Sequence, residues 1–141
     1  MSDPEKLRAF LSEKRNLIVG GVRPDGRPHL TPNWFLYDEG RFYVSTMRGR
    51  AKYAIFSADP RAELLVDDST GFRAVMISGT VSVREDLSAG LPYFRAIREK
   101  YGREVPADDG ELLANLEEED RFLLEITPTN SPSQWPSWGL D

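Results

Sequence analysis

The chain contains no cysteine and a single histidine, His29. Without cysteine there is no disulfide, no thiolate metal site and no cysteine nucleophile. With one histidine, multi-histidine metal centres and a histidine–histidine relay are excluded as well. No apolar run approaches the roughly 20 residues of a membrane helix. The N-terminus lacks the basic and apolar regions of a signal peptide. A cytoplasmic location with no membrane partner is therefore expected. Basic residues are in deficit, 18 against 23 acidic, for a net charge of −5. Nonspecific nucleic-acid binding needs a basic surface, so no nucleic-acid partner is expected either.

What is present is ordinary globular material: 141 residues, 40% hydrophobic and 29% charged. That length predicts one domain, residues 1–141, with a buried core. Residues 128–141 form a tail with three prolines and two tryptophans. Asp3 can cap a first helix, with Pro4 and Glu5 suited to its first turn and Lys14-Arg15 near its end. A strand over Asn16 to Val22 carries two glycines, which inside a strand mark a bulge, a bend or a close approach. Arg23 to Pro28 reads as a turn, because Pro24 presets φ and Asp25-Gly26 tolerates positive φ. His29 to Tyr37 and Arg41 to Thr46 continue a β-meander around a second turn at Asp38-Glu39-Gly40.

Arg61 to Asp67 is the next strand. Arg73 to Arg84 alternates, with Val75, Ile77, Gly79, Val81 and Val83 on one face, the pattern of a half-buried antiparallel strand. A helix capped at Asp86 or Ser88 should run to about Tyr101, burying Phe94, Ile97, Arg98 and Tyr101, with Gly102 as its stop. A short helix over Glu111 to Glu119 and a strand over Arg121 to Thr127 complete the order. Many strands, turn glycines and peripheral helices indicate a small antiparallel barrel.

The unusual stretch runs from Tyr43 to Pro60. It reads as a strand, a glycine turn and a helix with Ala51, Ala54, Ile55 and Ala58 on one apolar face. Asp59-Pro60 stops that helix. A helix start prefers Asp or Glu, yet this one carries Arg48, Arg50 and Lys52. Cations beside free backbone N–H groups make an anion site, above all for phosphate; the alternative is a solvated basic turn. Ser45 and Thr46 end their strand either as donors to such an anion or as a plain strand end. Trp34 is either a flat wall for a planar ring or core packing. An unperturbed histidine has its pKa near neutrality, but the place of His29 at a strand start suits a surface or packing role. Asp67-Asp68 reads as a solvated strand end, so no metal site is expected. Trp135 and Trp138 either dock over the site, dock on a partner subunit, or stay exposed.

Four segments together resemble the flavin/deazaflavin split-barrel oxidoreductases, the superfamily of pyridoxamine 5'-phosphate oxidase. They are Pro-Asp-Gly-Arg-Pro followed by Thr31-Pro32-Asn33-Trp34-Phe35; Phe42-Tyr43-Val44-Ser45-Thr46; Arg48-Gly49-Arg50-Ala51-Lys52 followed by Ser57-Ala58-Asp59-Pro60-Arg61; and Ile77-Ser78-Gly79-Thr80-Val81. The chain is most similar to members that use the deazaflavin coenzyme F-420. The resemblance implies a six-stranded antiparallel split β-barrel, mainly β with peripheral helices. It implies a homodimer with cofactor sites between the subunits. Arg50 and Lys52 would hold the cofactor phosphate, with Ala51 between them and Ser45 and Thr46 close by. Pro32, Asn33 and Trp34 would line the ring system. The implied activity is hydride transfer to a small electron-poor substrate, with no protein residue assigned a catalytic proton transfer. FMN is the alternative cofactor, acting in an oxidase or reductase, and a non-catalytic cofactor-binding protein is the alternative function. Ile55-Phe56-Ser57 and the 130–139 tail depart from the family pattern.

Overall fold

The computed structural model describes residues 2–141. Helix α1 (Pro4–Ser12) starts at Asp3, whose carboxylate accepts from the N–H groups of Glu5 and Lys6. It buries Leu7, Phe10 and Leu11 and ends two to three residues before the expected Lys14-Arg15. Strands β1 (Leu17–Val22) and β2 (Pro28–Asn33) form the expected hairpin. The single strand expected over His29 to Tyr37 is broken. The chain turns a corner at Trp34-Phe35 and resumes as β3 (Leu36–Asp38). Next come β4 (Arg41–Met47), helix α2 (Ala51–Ala58), β5 (Arg61–Asp67) and β6 (Ala74–Arg84). Helices α3 (Leu87–Lys100) and α4 (Asp109–Glu118) precede β7 (Arg121–Pro128), and a two-residue β8 (Ser137–Trp138) closes the chain.

All strands belong to one antiparallel sheet, in the order β2-β1-β5-β6-β7-β4-β3, with β8 added on β6. The two ends of that path, β2 and β3, are consecutive in sequence. The sheet is therefore brought round on itself by the corner at Trp34-Phe35 rather than by a ladder between β2 and β3. Counted with β2 and β3 as one bent strand, the barrel has the six strands expected; counted separately it has seven, plus β8.

The inner core is apolar and draws on β1, β4, β5, β6 and β7. It includes Leu17, Val19, Phe42, Val44, Leu64, Val66, Ile77, Phe122 and Leu124, all essentially inaccessible. A second, smaller core lies where α3 and α4 pack on β4 and β7, built from Tyr43, Phe94, Ile97, Leu112, Leu116 and Leu123. Strand β6 shows the expected alternation from Val75 on, with Val75, Ile77, Gly79 and Val81 buried and Met76, Ser78, Thr80 and Ser82 exposed; Ala74 at its start is buried too.

Two further expectations are corrected, and the open placement of the tail is answered. Helix α2 does not bury its alanines: Ala51, Ala54 and Ala58 face out, while Lys52, Ile55 and Phe56 are buried. The reason lies in β1. A Cβ on Gly21 would sit 2.9 Å from both Ile55 and Phe56, closer than side chains tolerate, so glycine there lets the bulky face of α2 seat against the sheet. Helix α4 starts at Asp109 under an Asp108 cap, two residues ahead of the expected Glu111. The tail docks on its own chain. Trp135 is 4% exposed and packs against Tyr37 and Phe42, with its indole N–H donating to Asn130 O at 2.9 Å. Leu140 is buried beside it, and its carbonyl accepts from Asp3 N at 2.8 Å. The tail thus seals the barrel near α1 instead of covering the anion site.

Candidate functional site

Strand β4 ends in a tight turn. Arg50 N donates to Met47 O at 3.0 Å, and Arg50 becomes the N-cap of α2 with an extended backbone. No side chain caps this helix and no acidic residue lies in its first turn. Its free N–H groups and partial positive charge are left for another partner.

The cations in this turn go three ways. Arg48 turns away: it donates to Glu85 at 2.9 and 3.2 Å and to Asp120 at 2.6 Å. Those bonds raise its pKa further above the ordinary arginine value, so it is spent on the fold and does not belong to the site. Arg50 is exposed and free of any ion pair among the described residues. Lys52 is the odd member, only 7% exposed and with no carboxylate partner. Its Nζ donates to Thr31 Oγ1 at 3.3 Å. Burial lowers its pKa from the usual lysine value, and Arg50 lowers it further. A buried cation paired only with a hydroxyl is costly, and a bound anion would relieve it.

Beside these residues lies a cavity of about 460 Å³, within the range of small-molecule sites. Its wall includes Pro32, Asn33, Trp34, Ser45, Thr46, Arg50 and Lys52, so seven of the eight residues expected from sequence meet there. Ala51 does not line it and faces solvent. Asn33 spends its amide on the backbone, donating to Thr31 O at 2.8 Å and Leu17 O at 3.3 Å, which fixes the strand that carries Thr31. Trp34 is not core packing. It stacks on Tyr101 with centroids 4.7 Å apart and planes 3° from parallel, and stays 44% exposed. Tyr101 is held in turn, donating to Arg15 O at 2.6 Å and accepting from Phe35 N at 3.2 Å. Lys100 braces the same corner through Leu11 O and Phe35 O, both at 3.0 Å. Burial alone brings its pKa down to about 8.

The opposite wall was not foreseen from sequence. Helix α3 contributes Phe94, Ile97 and Arg98; Arg103 follows it, and Arg121 opens β7. The cavity is thus lined by five cations in a chain of net charge −5. His29 does not line it, and its pKa is lowered by burial and by nearby Arg23 and Lys52. Asp67 and Asp68 form a loop turn, with Asp68 bonded to Thr70 and Arg73. Among the described residues no group of histidines and carboxylates could hold a metal, and no helix is long and apolar enough to cross a membrane.

Comparison with solved structures gives the same barrel. An F-420 reductase matches with a TM-score of 0.68 at 23% identity, over 90% of this chain and 96% of that one. A conserved hypothetical protein from Mycobacterium tuberculosis matches with a TM-score of 0.81 at 21% identity, over 98% and 85%. A haem storage protein from Vibrio cholerae matches with a TM-score of 0.71 at 16% identity, over 93% of each. At such identities the likeness is one of fold. The sequence itself carries the assignment further: the profile of the pyridoxamine 5'-phosphate oxidase family matches residues 3–131, and the chain belongs to that family.

Proposed function

We propose that this cavity holds a phosphate-bearing cofactor of the flavin type, coenzyme F-420 in the first place, and that the protein is an oxidoreductase acting on a small electron-poor organic molecule. The observation that carries the reading is Lys52, a buried cation with no carboxylate partner at the uncapped start of α2. Arg50 grips two phosphate oxygens and Lys52 adds a point charge. Ser45 and Thr46 donate hydroxyl hydrogen bonds. Pro32, Asn33 and Trp34 form the wall for the ring system, and the stack on Tyr101 keeps Trp34 in one orientation. When bound, the deazaflavin supplies the hydride. The protein's part is to orient the reactants and exclude water. No side chain is assigned a proton transfer.

The preference for F-420 over FMN rests on the resemblance of the four sequence segments to the deazaflavin-using members. The similarity to a haem storage protein is one of fold, and of the usual haem ligands only a thioether, Met47, lines the cavity. For the assembly we propose a homodimer. Pro32, Ile18, Leu65 and Met76 face one another across β2, β1, β5 and β6 on the outer side of the barrel. Met76 is 41% exposed and Leu30, on the same face, 66%. Pro32 belongs both to this apolar row and to the cavity wall, so a second copy seated there would complete the ring end of the site.

The test is to mix the protein with reduced F-420 and a panel of electron-poor acceptors and follow return of the oxidised cofactor's absorbance. Protein-dependent oxidation with at least one acceptor is expected. Binding without oxidation by any acceptor would make the protein a cofactor carrier, and FMN binding without F-420 binding would make it a flavoprotein.

A further inference from the structure

Three of the five cations on the cavity wall are gathered by one carboxylate. Glu119, the C-cap of α4, accepts from Arg98 Nη2 at 2.8 Å and from Arg121 Nη2 at 3.2 Å, and Arg103 Nη2 lies 3.9 Å away. Burial opposes the charged form of Glu119, yet Arg98 and Arg121 hold it below the ordinary glutamate range, so it is ionised at neutral pH. The arginines exceed it in charge by three to one. Glu118 lines a separate hollow with Arg98 and Arg103 and not this cavity, and the Asp120 carboxylate is engaged by Arg48.

The cluster is built into the fold. Arg98 has a side chain only 8% exposed and sits on the buried stripe of α3 with Phe94 and Ile97. Arg103 N donates to Arg98 O at 2.9 Å across the turn at Gly102, whose φ of +73° suits glycine. Arg121 stands opposite Met47 in the β4–β7 ladder. Each guanidinium carries five N–H donors, and Glu119 takes one from Arg98 and one from Arg121. The buried Nε of Arg121 has no partner among the described residues. A buried arginine and a surplus of unspent donors on a cavity wall are costly unless an anion uses them. The cluster stands on different elements from the first anchor: Arg50 and Lys52 belong to the start of α2, Arg98 to α3 and Arg121 to β7.

We propose that Arg98, Arg103 and Arg121, held in place by Glu119, form a second anion-binding centre in this cavity, for a carboxylate or phosphate group other than the one at Arg50 and Lys52. The inference rests on the reading above for the first phosphate, and it adds that the bound chemistry carries at least two anionic groups. The second group is either part of the cofactor's own side chain or the acid group of a separate substrate.

The probes are citrate, FMN and F-420, whose side chain carries glutamyl carboxylates beyond its phosphate. Citrate binding is read by thermal shift, and cofactor binding by fluorescence titration. Arg103 has a side chain 47% exposed, so Arg103→Ala is expected to fold. It should weaken citrate about tenfold, the effect of one charged hydrogen bond, and leave FMN within about twofold. Lys52→Ala should weaken FMN and F-420 while sparing the citrate response. If the second anion belongs to the cofactor, F-420 blocks citrate, FMN does not, and Arg103→Ala weakens F-420 as well. If it belongs to a substrate, citrate binds equally well to protein loaded with either cofactor. A citrate response unchanged in Arg103→Ala, or one lost equally in Lys52→Ala, overturns the proposal. Failure of wild-type protein to bind FMN or F-420 would remove the cofactor reading, and the citrate comparison would still decide the second centre.

Discussion

Replacing Lys52 by methionine should separate binding from stability, with opposite signs. The side chain is 7% exposed and its ammonium has only the Thr31 hydroxyl at 3.3 Å as partner. Methionine keeps an unbranched apolar stem of similar length and removes the charge. In the empty protein the change deletes an ill-compensated buried cation, a saving set against one weak hydrogen bond worth about 1 kcal/mol. The unfolding free energy of Lys52→Met should therefore be unchanged or higher, as measured in urea. Binding should move the other way. Loss of one charged hydrogen bond to phosphate costs about 1.5–3 kcal/mol, or roughly ten- to a hundredfold in affinity. The assay is a fluorescence titration with FMN and with F-420. Wild-type affinity should also fall at alkaline pH, since Lys52 loses its proton below the ordinary lysine value. Lys52→Arg should remove that fall, because arginine stays charged. A Lys52→Met protein that binds both cofactors as wild type does, and is less stable by several kcal/mol, would make Lys52 a structural residue and refute the reasoning.

Three other outcomes follow from the packing. Trp135→Ala should lower the unfolding free energy by about 3–5 kcal/mol, the usual cost for a buried aromatic, while cofactor affinity at low temperature stays as it was. An equal loss of affinity would put the tail at the site. Gly21→Val should push α2 outward, since even a Cβ there meets Ile55 and Phe56 at 2.9 Å, and should weaken both stability and phosphate binding; wild-type binding would mean that α2 does not set the position of Lys52. Lys100 has its pKa depressed to about 8 by burial, so between about pH 8 and pH 10 the unfolded chain binds the extra proton and stability should rise with pH. Lys100→Met should flatten that rise. Above that window Tyr37, Tyr43 and Tyr101, whose pKa values are raised chiefly by burial, work in the opposite direction.

The sequence is most legible where the chemistry is local. The alternation of β6, the Asp25-Gly26 turn and the Asp86 cap each depend on a few adjacent residues, and each is found in place. The first anchor is legible for the same reason: Ser45, Thr46, Arg50 and Lys52 lie within eight residues, and local structure alone brings them to one wall. The corner at Trp34-Phe35 is not local. It exists because β2 and β3 must reach opposite ends of the same sheet; Pro32, which cannot donate to a ladder, is the local hint of a break in His29 to Tyr37. The buried face of α2 was misread because the alanine spacing is regular, whereas burial is decided by Ile55 and Phe56 meeting the gap at Gly21.

The arginine wall is less legible still. Arg98 lies 23 residues before Arg121, and their meeting depends on how α3 and α4 dock and on the register that sets Met47 against Arg121. One signal was present: Arg98 falls on the apolar stripe of α3, and a buried arginine requires a partner. Glu119, at the acidic end of α4 where the helix dipole disfavours it, is that partner. Two local rules are broken here, and each violation is explained by the other. The tail was the remaining open point, and its outcome depends on space left at the end of the barrel beside Tyr37 and Phe42.

The most direct measurement is an equilibrium titration of the purified protein with F-420 and, separately, with FMN, followed by cofactor absorbance and fluorescence. A saturable spectral change is predicted, with F-420 bound more tightly than FMN and both weakened at least tenfold in Lys52→Met. Absence of binding by either cofactor, or binding indifferent to Lys52, would contradict the account.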